Sequence, residues 1–242
     1  MQVLIGAGLL LIVLGLFTLF SYKAPHGMKA MGALAGAACA SFLVEAFHSS
    51  FFGNVLNIEF LKKVGDANGS LGGVAAAILV PLALGVSPVY SVLIGLSCSG
   101  LGILPGFIAG YLMSFVVKFL EEKLPSGLDL IVIIVVATPL TRIIGDFTAP
   151  VVDSTLLKIG QVLIASANSN PITMGIILGG IITVVATAPL SSMALTAMLG
   201  LTGAPMAIGA LSVFGSSFLN FVLFQKMKFG SKKDTISVAI EP

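Results

Sequence analysis

The sequence predicts an all-α polytopic integral membrane protein of about seven transmembrane helices, with Pro- or Gly-broken or re-entrant segments and one interfacial amphipathic crossover helix. Three observations carry this. Of the 242 residues, 57% are hydrophobic and only 9% charged, against roughly 25% charged in soluble domains. The mean hydropathy is +1.12. The apolar runs reach the roughly 20 residues that a hydrocarbon core of about 30 Å requires of a helix, and none shows the alternation over about ten residues of an outer-membrane strand.

The first expected span, Val3 to Phe20, has no basic residue before it and no small-x-small site after it, so it reads as a retained helix rather than a cleaved leader. Ala30 to about Phe47 is rich in Gly, Ala and Cys, and small residues let helix backbones approach closely, so this span is expected inside the protein. Residues 51–73 are the first long polar stretch, and GDANGSLGG within it reads as a flexible turn. Val74 to Phe119 is apolar but interrupted by Pro81, Ser87-Pro88 and Pro105-Gly106, which suggests two kinked or broken spans. A fifth span starts at Leu128, a sixth at Asn170-Pro171, and a seventh covers Pro205 to Phe224.

Between the fifth and sixth lies a segment too polar for lipid and too apolar for a free loop, the amphipathic crossover. The expected divisions are an N-terminal bundle over 1–141, the crossover over 142–169 and a C-terminal region over 170–242 with a basic tail. That tail, with Lys226, Lys228, Lys232 and Lys233, is the strongest basic edge, which by the positive-inside bias belongs in the cytoplasm. The expected location is therefore the inner (plasma) membrane, multi-pass, with the lipid bilayer as the first partner. Reading Gly72 to Val86 as re-entrant would reverse the orientation of everything before it.

Two stretches repeat a theme: VVATPLT over 135–141 and VVATAPLSS over 184–192. A proline inside a helix withdraws one amide and frees the carbonyl four residues back, Val135 for Pro139 and Val185 for Pro189. Such backbone persists at membrane depth only beside protein or a wet cavity, and paired interruptions in two halves point to a transporter's binding site. Thr138, Thr141, Thr187, Ser191 and Ser192 would line it with hydroxyls suited to a small polar, sugar-like solute. The competing reading is a pair of simple kinks.

Asn170 followed by Pro171 is a helix-start signature whose free amides suit a hydroxylated or anionic ligand, or simply cap the helix. Arg142 and Asp146, four apart, either pair to hold the crossover or touch solute. Glu45 and His48 share a helix face and are candidates for proton or ion coupling, or else a pair at the membrane edge. Cys39 and Cys98 lie in apolar sequence with no spacing partner and read as buried free thiols. No P-loop, zinc-ligand spacing, nucleophile elbow or dinucleotide fingerprint occurs, so no cofactor, metal, catalytic residue or nucleic-acid partner is expected.

The run SNPITMGIILGGIITVVATAPLSSMALTAMLGLTG and the later KKDTISVAIEP resemble the PfoR-type membrane proteins, which are grouped with the enzyme IIC components of the sugar phosphotransferase system. The resemblance is clearest over about residues 165–242. It implies broken or hairpin helices, a homodimer, a solute site near the bilayer midplane, and one of two activities: a permease, or a transmembrane sensor that regulates gene expression without transport. Ile240-Glu241-Pro242 is similar to the family's Ile-Thr-Glu-Pro motif, whose glutamate engages the sugar, although Ala239 and Ile240 stand where Gly-Ile-Thr is expected. Glu241 enters the candidate set through this resemblance alone. Members of the family are longer, which makes a truncated C-terminus a further expectation. The sequence carries no module with a phosphorylatable Cys or His, so coupled phosphorylation implies separate soluble phosphotransferase proteins. Uptake driven by an ion gradient, or simply facilitated, stays equally open.

Overall fold

The computed structural model describes residues 2–187, 192–201, 203–228, 230–233 and 235–236. These form helices joined by short turns, with no β-strand among them. Among the described residues, four helical runs are long and apolar enough to cross a membrane: Gly27–Asn54, Ile103–Lys123, Leu128–Ala165 and Pro205–Met227. A fifth crossing results if the bent pair Glu59–Gly69 and Gly72–Leu84 is one span. Large apolar side chains stand exposed along these and neighbouring helices, among them Phe147 (79%), Ile172 (78%) and Leu211 (72%). Water would penalise such a surface and lipid does not. The chain is an all-α polytopic membrane protein.

The residues fall into two compact units, Ser21–Leu156 and a second made of Met1–Phe20 with Leu157–Pro242. In the first, α2 (Gly27–Ala38) continues through two π-wound stretches, Cys39–Leu43 and Ala46–Val55. The chain returns along α3 (Glu59–Gly69) and α4 (Gly72–Leu84), bent by 52° between them. The segment expected as a flexible turn is therefore mostly helix. Next come α5 (Pro88–Ser97), the long α6 (Ile103–Lys123) and α7 (Leu128–Val132). A π-wound turn, Ile133–Ala137, links α7 to α8 (Thr138–Val152), and another, Asp153–Leu157, links α8 to α9 (Lys158–Ser169). Helical winding thus runs from Leu128 to Ala165, carrying the fifth expected span directly into the expected crossover.

Glycine sets the spacing at the centre of this unit. A methyl group on Gly73 would strike the Leu101 carbonyl, and one on Gly106 would strike the backbone of Gly73. One turn further on, a methyl on Gly110 would lie 2.8 Å from Ala77 Cα. The parallel helices α4 and α6 therefore touch backbone to backbone, the close approach through small residues that replaces the hydrophobic effect between helices in lipid. Pro81 inside α4 leaves the Ala77 carbonyl without its amide, and Gly110 packs over that same carbonyl. Around the seam, Ile94, Cys98, Met113, Val117, Ile133 and Ala137 form one buried cluster. Both cysteines are free, Cys98 buried as expected and Cys39 exposed.

Polar groups gather where α4, α5, α6 and α7 meet. Gly85, at φ +92°, closes α4 in a left-handed turn, and Lys118 Nζ donates to the Leu84 carbonyl at 3.5 Å. The Ser87 amide donates to Glu121 (3.2 Å) and the Tyr90 hydroxyl to Asp129 (2.6 Å). The turn that must leave the apolar core is thus tied on three sides by side chains.

In the second unit, α10 (Pro171–Thr187) and α12 (Gly203–Met227) are the principal pair, with α9 against both and the short α11 (Ser192–Met198) beside them. Leu163, Met174, Leu178, Ile182, Leu199 and Leu201 are fully buried or nearly so. Gly160 lets the Leu199 carbonyl approach α9 where any side chain would block it.

Replacing Gly106 by Ala forces the α4–α6 seam apart and is expected to cost about 1–3 kcal/mol. Gly32→Ala, which meets nothing within 4 Å, is expected to be neutral or to stabilise by up to about 1 kcal/mol. Thermal unfolding in detergent compares the two, and equal effects would contradict the seam.

Candidate functional site

The bend between α3 and α4 lies beside Glu45, Ser49 and Asp66. Glu45 lies within the candidate span Gly27–Asn54. Its side chain is half-buried and lies so close over Gly69 that a methyl there would strike the carboxylate. One turn on, Ser49 is buried, its backbone against Gly65, and its hydroxyl donates to Asp66 Oδ1 at 2.5 Å. Further still, Gly53 lies against Lys62. Two glycines four residues apart on α3, Gly65 and Gly69, thus let it run antiparallel against the π-wound helix, and that contact fixes both carboxylates beside the bend.

The bend has its own hydrogen-bonding logic. Ser70 N–H donates to the Asp66 carbonyl and Leu71 N–H to that of Asn68, so α3 closes tightly before α4 opens at Leu71 without a side-chain cap. Across from it, Ser41 sits next to Gly72 and donates its hydroxyl to the Ala37 carbonyl at 2.7 Å. The facing helix is π-wound on both sides of Glu45, and such widened turns collect at functional sites. The arrangement offers carboxylate acceptors to sugar hydroxyls, to a cation or to a proton. Sequence reasoning singled out Glu45 and a turn within residues 65–73, where the bend falls, but not Ser49 or Asp66; the available signal was the Gly65/Gly69 spacing with an acid between. His48 extends from the same helix, half-buried, with Nδ1 3.2 Å from the Val44 carbonyl and its ring 6.0 Å from that of Phe52.

The first Thr-Pro stretch is wound without a break. Thr138 N–H reaches back five residues to the Ile133 carbonyl. In that wide register the next amide would serve Ile134, but position 139 is proline and has none. The Thr138 hydroxyl takes over, donating to the Ile134 carbonyl at 2.5 Å. Thr141, fully buried, donates to the Ala137 carbonyl at 2.7 Å. The interruption expected here is absorbed by a π-turn and a threonine, and both hydroxyls keep only lone pairs for any ligand.

Arg142 and Asp146 pair as their spacing suggests, Nε to carboxylate at 3.0 Å. The same guanidinium donates through Nη1 to the Ser99 carbonyl at 2.6 Å, so it also pins the turn between α5 and α6, where Gly100 has φ +77°. Asn170 is exposed directly before α10, its carbonyl accepting from Met174 N–H at 3.0 Å, the place a helix-start residue takes. In the second stretch Thr187 ends α10 and Ser192 opens α11. Residues 188–191, including Ser191, lie outside the described residues, as does Glu241. Among the described residues no group of three or more His, Cys, Asp or Glu side chains could hold a metal ion.

The two glycines of α3 separate packing from chemistry. Gly65→Ala meets backbone at Ser49 and is expected to lower stability by about 1–3 kcal/mol. Gly69→Ala meets only the end of the Glu45 side chain, which can swing aside, so the melting temperature should hold while solute handling falls. Parallel melting and ligand-binding measurements on the two variants check this, and a stability loss as large for Gly69→Ala as for Gly65→Ala would contradict it.

Comparison with known proteins yields one family. No curated protein and no solved structure matches the chain. The family model described as "Phosphotransferase system, EIIC" matches residues 28–242, which covers both the α3–α4 bend and the stretch carrying the second Pro-Leu motif. With its all-helical, multi-pass architecture, the chain belongs to the EIIC family of the phosphotransferase system, and its role is that of a membrane permease for sugar-type solutes.

Proposed function

We propose that this chain moves a small sugar-like solute across the membrane by alternating access, with any phosphoryl transfer performed by separate soluble phosphotransferase proteins. The observation that carries the reading is the family match over residues 28–242. The bend between α3 and α4 supports it, because interrupted helices and ionisable side chains within membrane spans both mark solute pathways in transporters. In this proposal Glu45 and Asp66 accept solute hydroxyls, and His48 with Glu45 handles a coupled proton or ion. Arg142 and Asp146 keep the α5–α6 turn in register with α8 and contribute polar surface. Thr138 and Thr141 offer acceptor lone pairs, while Asn170, Thr187, Ser191, Ser192 and Glu241 complete the set of solute contacts. The working unit is a homodimer in the plasma membrane.

Proteoliposome flux over a panel of labelled hexoses, pentoses and polyols, with and without a phosphotransferase fraction, tests the reading. Saturable uptake of one solute class is expected, lowered at least about tenfold by Glu45→Gln with the melting temperature unchanged, which corresponds to losing about 1.4 kcal/mol of solute interaction. A solute that raises the melting temperature yet never crosses would instead make the chain a sensor. No response to any solute would end the proposal.

A further inference from the structure

The strongest unassigned feature lies at the C-terminal end of α12, where the last candidate span meets its basic tail. Lys228 (φ +57°) and Gly230 (φ +73°) turn the chain back, and a helical turn closes over the end of α12 with Thr235 buried and its amide bonded to the Ser231 carbonyl at 3.0 Å. Between the turn and the helix is a cleft of about 380 Å³, walled by Phe221, Phe224 and Ile236 and edged by Gln225, Lys228 and Lys232. Its size falls at the small end of ligand sites, roughly 300–1,000 Å³. Neither Lys228 nor Lys232 has an ion-pair partner among the described residues, whereas Lys233 is engaged.

Two ammonium groups without an ion-pair partner among the described residues, and an amide, stand above aromatic and aliphatic walls, an arrangement complementary to an anion that carries its own apolar tail. A free phosphate would satisfy the rim and leave the walls wet. The walls also run on into the exposed apolar face of α12, with Phe218, Leu219, Val222 and Leu223, where acyl chains lie. We propose that this cleft binds the phosphodiester headgroup of an anionic phospholipid, with Lys228 and Lys232 on the phosphate, Gln225 on the glycerol hydroxyls and the acyl chains along α12. Basic clusters immediately beyond a transmembrane helix recognise anionic headgroups by this combination of charge and depth.

The test measures lipid binding to the detergent-purified full chain by native mass spectrometry, using dioleoyl phosphatidylglycerol, dioleoyl phosphatidylcholine and glycerol 3-phosphate as probes. Phosphatidylglycerol should bind at least about tenfold more tightly than phosphatidylcholine, and Lys228→Gln with Lys232→Gln should weaken it by about 20-fold. The Lys→Arg pair at the same positions should retain binding, and Lys62→Gln with Lys63→Gln, an equal loss of charge elsewhere, should leave it unchanged. Equal binding of the two lipids overturns the proposal, as does an equal loss in the Lys62/Lys63 control. Displacement of phosphatidylglycerol by millimolar glycerol 3-phosphate would give the cleft to a soluble phosphate ester and overturn the lipid assignment.

Discussion

Backbone amides and carbonyls at membrane depth must find partners inside the protein, since the hydrocarbon offers none. This chain meets that demand by bringing backbones together through glycine. Gly73, Gly106 and Gly110 join α4 to α6, Gly65 joins α3 to the π-wound helix, and Gly160 admits the Leu199 carbonyl. Once the backbones touch, irregular turns can be shielded by their neighbours. Pro81 becomes tolerable because Gly110 packs over the carbonyl it strands, and the uncapped start of α4 becomes tolerable because Ser41 and the α5–α6 turn lie against it.

Hydroxyl groups follow the same economy. Ser41, Ser91, Ser97, Ser114, Thr138, Thr141 and Thr148 each donate to the carbonyl four residues back. A serine or threonine in an apolar helix is thus first a device for satisfying its own turn, and only its remaining lone pairs face outward. Carboxylates cannot be silenced in this way because they have nothing to donate when ionised. Glu45, whose carboxylate lies over Gly69 at a helix bend, and Asp66, which accepts from Ser49, therefore keep acceptor oxygens turned away from their own backbone.

The membrane class, the helical architecture and the enzyme IIC kinship were legible because composition, run length and the C-terminal motifs express them directly. The winding around Pro139 was not. Proline announces a lost amide, but whether a helix breaks or widens depends on what can replace that donor, and here the preceding threonine does so. The helix leading into the bend was not legible for a different reason. GDANGS has the local chemistry of a turn, and α3 packs as it does because Gly65 admits the Ser49 backbone and Gly69 the Glu45 carboxylate, tertiary contacts that a single-segment reading does not contain. Arg142 shows the middle case: its partner Asp146 is written in the spacing, while the Ser99 carbonyl that shares the guanidinium comes from a turn far away in the chain.

The proposed function requires the α3–α4 bend to be reachable from water and occupied by solute. Single cysteines at Asn68, Ser70 and Leu71, in a chain with Cys39 and Cys98 replaced by Ala, would be probed in sealed vesicles with a membrane-impermeant maleimide. Labelling is expected at these positions, with protection by a transported sugar, and none at Leu16 or Phe147 under any condition. Bend positions that stay unlabelled from both sides, or that label identically with and without every solute, would contradict it.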